Sequence, residues 1–91
     1  MNYKNFRKKI LNELKEFYGQ DAEVTILKLV KQNKKTKYGI LIQLKEVHIN
    51  KASVICLKAY YKLYQKSGKF DICIGAIVEL MDEIQEEVYD N

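Results

Sequence analysis

Hydrophobic spacing changes character twice along this chain, and that change is the strongest constraint on what it can fold into. Tyr3, Phe6, Ile10, Leu14 and Phe17 stand three or four positions apart, the spacing that lines one face of a helix. Asn2 is available as its N-cap and Gly19 as its C-cap. Residues 23–31 are then rich in β-branched and aliphatic side chains. A polar segment from Gln32 to Lys37 separates them from a second such run, Tyr38 to Lys45. Two runs of this kind joined by a polar segment predict a β-hairpin. In the second run Ile40, Ile42 and Leu44 alternate toward one face. The first run is apolar on both faces, which predicts a strand covered twice or central in the sheet.

A hairpin needs a third strand to be stable, and Ser53–Leu57 is the candidate. Val54, Ile55 and Cys56 favour extended structure, although the segment fits the start of the following helix equally well. From Leu57 the helical spacing returns, with Leu57, Tyr60, Tyr61 and Tyr64 on one stripe and Ser67-Gly68 in the position of a C-cap. After Phe70, Asp71 is placed to N-cap a last helix. Its apolar stripe is Ile74, Ile77, Val78, Met81, Ile84 and Val88, opposite the acids Glu79, Asp82, Glu83, Glu86 and Glu87. The order α-β-β-β-α-α predicts an α+β fold: a three-stranded antiparallel sheet with helices mainly on one face, in a single domain over residues 1–91.

Charge is distributed unevenly. The net +4 combines residues 1–69, where all 16 Lys and Arg meet five acids for +11, with residues 70–91, where seven acids and no base give −7. Such opposed fields bear on partners rather than on fold. Cys56 and Cys73 lack the density and spacing of a secreted disulfide scaffold. Lys4, Arg7, Lys8, Lys9 and Lys15 interrupt the first 18 residues, so no signal-peptide core is present, and no apolar stretch approaches the ~20 residues of a membrane span. These features predict a cytoplasmic protein without membrane attachment.

Little points to catalysis. A structural zinc site normally takes four nitrogen or sulfur ligands, often in closely spaced pairs. His48, Cys56 and Cys73 are three scattered ones, so the chain is expected to fold without metal or other cofactor. Cys73 has apolar neighbours in Ile72 and Ile74, which predict a buried, inert thiol. No motif announces the orienting group and oxyanion site of a Cys-His hydrolase, and the four glycines form no phosphate-binding loop.

The residue pattern as a whole, namely Met1-Asn2-Tyr3 with Phe6 and Ile10, the Val24-Thr25-Ile26 strand, Gly39-Ile40, Ile55-Cys56-Leu57, Tyr61 with Tyr64 and Gly68, and the Ile-rich end, resembles the N-terminal part of a bacterial family known as domain of unknown function 5688. The resemblance covers nearly the whole chain, departs at Lys51-Ala52-Ser53 where members tend to carry a proline, and implies no catalytic residues. The element order is also similar to that of some short phage-encoded inhibitors of CRISPR nucleases, compact α+β proteins that act by occupying a surface.

Two surfaces follow as candidates. One is the acidic face Glu79, Asp82, Glu83, Glu86 and Glu87, offered to a basic protein partner such as a Cas nuclease complex. The other is the basic set Lys34, Lys35 and Lys37 near the hairpin turn with Lys58, Lys62 and Lys66 beside the tyrosines, offered to nucleic acid. Each competes with the reading of a charge run as a solvated helix face. The leading expectation is a small non-enzymatic protein-binding module, an inhibitor of a bacterial nucleic-acid-processing complex; the rival is a nucleic-acid-binding protein.

Overall fold

In the computed structural model, the backbone is described for residues 1–30, 36–45 and 53–89, and side chains for residues 1–28, 37–45 and 55–83. Helix α1 spans Tyr3–Tyr18 and starts where the sequence places it: the Asn2 side-chain oxygen accepts the Asn5 backbone N–H at 2.8 Å, satisfying one of the donors a helix start leaves free. It stops at Gly19, whose φ of 58° suits glycine and whose N–H donates to the Lys15 carbonyl. Phe6, Ile10 and Leu14 are fully buried. Phe17 departs from the expected stripe: it is 60% exposed, and the inward position in the last turn goes to the half-buried Tyr18, four residues beyond Leu14.

Strands β1 (Ala22–Val30), β2 (Thr36–Leu44) and β3 (Ser53–Cys56) form an antiparallel sheet in the order β1-β2-β3. The expectation for β1 is corrected here: it is an edge strand and β2 is central. Directly opposed residues share a face, so register fixes the two sides. Ala22, Val24 and Ile26 lie with Leu44, Ile42 and Ile40, and Ile40 in turn lies opposite Ile55. This face joins α1, α2 and α3 in one buried cluster. Leu27 belongs to the other face, opposite Gly39, which is itself opposite Cys56. The run from residue 23 is apolar on both faces because Leu27 lies on the outer side above a glycine position, not because helices cover it twice.

Ser53–Cys56 is a strand, and the chain passes directly from Cys56 into α2 (Leu57–Ser67). Leu57 is fully buried. Gly68 ends α2 in the left-handed conformation, φ 69°, ψ 5°, with its N–H donating to the Tyr64 carbonyl. Helix α3 runs Phe70–Tyr89, starting earlier than expected. Asp71 therefore does not cap the helix; it sits in the first turn, where its charge meets the positive end of the helix dipole. The Lys69 N–H donates to the Ser67 hydroxyl at 3.2 Å across the tight α2–α3 turn.

The centre of the core is aromatic. Phe6 packs on Tyr61, Tyr64 and Phe70 with ring centroids 5.1, 5.6 and 5.7 Å away, tying α1 to α2 and α3 at one point. Phe70, Cys73, Ile77 and Met81 form the buried line of α3, with Ile74 and Val78 packed beside it.

Candidate interaction surfaces

The outer face of α3 is set by helical register. With Phe70, Cys73, Ile77 and Met81 turned inward, positions 72, 75, 79 and 82–83 fall on the opposite side. Glu79, Asp82 and Glu83 are all exposed there. Glu86 and Glu87 belong to the last turns of α3, beyond the described side chains. The same face carries Ile72, 45% exposed, and Gly75, around which a side chain would meet nothing within 4 Å. The acidic face thus begins with an apolar side chain and a bare stretch of helix surface. Sequence reasoning missed Ile72 by treating it as a buried neighbour of Cys73. Its spacing of seven from Glu79 is the signal that places it outward.

The basic residues divide differently from the sequence expectation. Lys58, Lys62 and Lys66 are exposed along α2, and Lys69 is exposed just beyond it. Lys37 is not in the hairpin turn: it belongs to β2, paired with Leu29, and is half-buried. Lys34 and Lys35 lie outside the described residues, as does His48. On α1, Lys9 places its ammonium 4.4 Å from the centre of the Phe70 ring, a cation–π contact that brings it to the Lys69 end of α2. Arg7 is engaged elsewhere, its guanidinium 3.5 Å from the Tyr38 ring centre and 4.7 Å from that of Tyr3.

Titratable groups in the interior are few. The Cys73 thiol is buried and donates to the Tyr60 carbonyl at 3.2 Å; burial pushes its pKa up. Burial likewise raises Tyr60, with the Cys73 charge adding to it. Tyr18 is raised by burial first and by Asp82 second, which sets the end of α1 near the acidic face. The Tyr3 and Tyr18 hydroxyls are buried without hydrogen-bond partners among the described residues. Cys56, expected in an apolar run, is an exposed free thiol at the β3–α2 junction. Among the described residues no group of three or more His, Cys, Asp or Glu is placed to hold a metal ion. No described helix is long and apolar enough to cross a membrane.

A family of unknown function, DUF5688, matches the chain over residues 3–90, from the first residue of α1 to just past the end of α3. The chain belongs to this family. No curated protein and no solved structure matches it. For DUF5688, then, both charged helix faces of this chain lie inside the shared region, together with the aromatic core that positions them.

Proposed function

We propose that this DUF5688 chain is a non-enzymatic protein-binding module that engages a basic surface of its partner through the outer face of α3. The observation that carries this reading is the company Ile72 keeps: a large aliphatic side chain, 45% exposed, on the same helix face as exposed Glu79, Asp82 and Glu83. Scattered acids alone describe a solvated helix. An apolar anchor at the end of an acidic face supplies what an interface needs, buried apolar area for residence and complementary charge for encounter. The helix bearing them is anchored in the core by Phe70, Cys73, Ile77 and Met81, which fixes which face it turns outward.

The partner class follows from charge. Proteins that handle nucleic acid carry basic grooves built for phosphates; residues 70–91 hold seven acids and no base, and of these Glu79, Asp82 and Glu83 stand exposed on one helix face to meet such a groove. This supports an inhibitor that occupies a nucleic-acid-processing complex such as a CRISPR effector, in line with the similar element order of small phage inhibitors.

The test replaces Glu79, Asp82 and Glu83, all exposed, with glutamine, asparagine and glutamine. Exposed helix positions tolerate such changes within ~0.5 kcal/mol each, so the fold should survive. Against a partner captured from a bacterial lysate, association should slow and lose part of its salt dependence. Unchanged association of the folded triple variant would place the interface elsewhere.

A further inference from the structure

Helices α1 and α3 run side by side in the same direction. Near the start of both, Phe6 packs on Phe70 with ring centroids 5.7 Å apart. At the far end of α1, Tyr18 lies near enough to Asp82 for that carboxylate to add to the rise that burial gives its pKa. The step from Phe6 to Tyr18 equals the step from Phe70 to Asp82, so the two helices keep level with one another.

Register then fixes which residues border the seam between them. On α3 the Cys73 thiol donates to the Tyr60 carbonyl, which turns that side toward α2. Asp82 marks the side toward α1, and Val78 and Ile74 precede it there, one turn apart. On α1, Lys9 reaches the Phe70 ring, and Glu13 and Phe17 follow it at the same spacing.

The seam has an apolar floor and acidic walls. Ile74 and Val78 are half-buried and packed against the core. Glu13 and Glu16 on α1, with Glu79 and Asp82 on α3, are exposed on either side of them. Phe17 closes the far end: it is 60% exposed, more than Met1 or Ile72, and its ring stands edge-on to that of Tyr18, centroids 5.1 Å apart. The α1 bases stand away from this end. Lys9 is drawn to Phe70, and Lys15, two residues before Phe17, points ~200° around the helix from it. A single exposed phenylalanine is ordinary on a protein surface; this one completes an apolar strip bordered by carboxylates from two helices.

We propose that the α1–α3 seam docks a basic amphipathic helix of the partner, with Phe17 as the apolar anchor and Glu13, Glu16, Glu79 and Asp82 facing its lysines or arginines. The inference rests on the reading of this chain as a protein-binding module and extends the docking surface from α3 onto α1. Charge and polarity together select the occupant. A helix with apolar and basic residues on adjoining faces matches an apolar strip with acidic borders, whereas phosphates of a nucleic acid would meet carboxylates of like sign. The basic helix of a second copy, α2, has its apolar side chains packed in its own core.

Fluorescence anisotropy tests this with two labelled peptides of about fourteen residues, one of leucine and lysine in helical register and one with serine in place of every leucine. The wild-type protein should bind the leucine peptide at least tenfold more tightly than the serine peptide. Phe17→Ser should remove about tenfold of that affinity, and Glu13→Gln with Glu16→Gln should weaken binding and its dependence on salt. Met1→Ser, at an exposed apolar position off the seam, should change binding less than about twofold. Thermal melts separate weakened binding from unfolding. Loss of binding from Ile72→Ser with Phe17→Ser unaffected would overturn the seam while leaving the α3 face standing. Equal binding of the two peptides, or equal losses from Phe17→Ser and Met1→Ser, would also overturn it.

Discussion

The two cysteines differ more than their sequence settings do. Cys73 is buried and bonded to the Tyr60 carbonyl, whereas Cys56 is exposed where β3 turns into α2. A thiol-specific reagent should therefore titrate Cys56 at once in the native protein and reach Cys73 only on unfolding; two equally fast thiols would contradict this packing. Alkaline pH probes the same interior. Burial raises Cys73 above its ordinary 9.0, and Tyr3, Tyr18 and Tyr60 above 10.0. These groups ionise more readily in the unfolded chain, so their contribution is fully present below pH ~9 and is lost as pH climbs through the raised native values. Denaturant midpoints should fall between about pH 8 and about pH 10.5, and a flat profile would refute the burial. The burial of Cys73 was readable from its apolar neighbours. The exposure of Ile72 is masked by its neighbour Cys73 and shows only through its spacing of seven from the acidic Glu79.

Elements whose ends are written in local chemistry were the most legible. Asn2, Gly19 and Gly68 each stand at a helix boundary and each serves it. Asn2→Ala should cost about 1 kcal/mol, and Gly68→Ala, which forces a side chain into the left-handed region, about 1–2 kcal/mol, both measured as reduced thermal stability. The place of β1 was not legible, since an apolar run on both faces describes a central strand and an edge strand alike; strand order comes from the pairings with β2, which local composition does not encode. The heaviest dependence on one residue falls on Phe6, where α1, α2 and α3 converge. Phe6→Ala should cost about 3–5 kcal/mol, a large share of the ~5–15 kcal/mol that holds a domain together, and circular dichroism should show a protein largely unfolded well below the wild-type midpoint.

Across the whole molecule, the split of charge between residues 1–69 and 70–91 was visible in the sequence, and the fold gives it geometry. Glu79, Asp82 and Glu83 stand on an outer helix face with the exposed Ile72, while Lys58, Lys62 and Lys66 line the exposed side of α2. Part of the basic set dissolved on the way: Lys37 pairs within the sheet, a position its polar neighbours concealed. The remaining architecture leaves one side of α3 exposed at Ile72, Gly75, Glu79, Asp82 and Glu83, the face on which a protein partner is proposed to dock. Isotope-labelled protein titrated with the captured partner measures this residue by residue, through the chemical-shift changes of backbone amides. The largest changes should fall at Ile72, Gly75, Glu79, Asp82 and Glu83, with the amides of the first turns of α1 and the sheet nearly still. Changes centred on Leu27 and Leu41 of the sheet, with α3 unmoved, would contradict it.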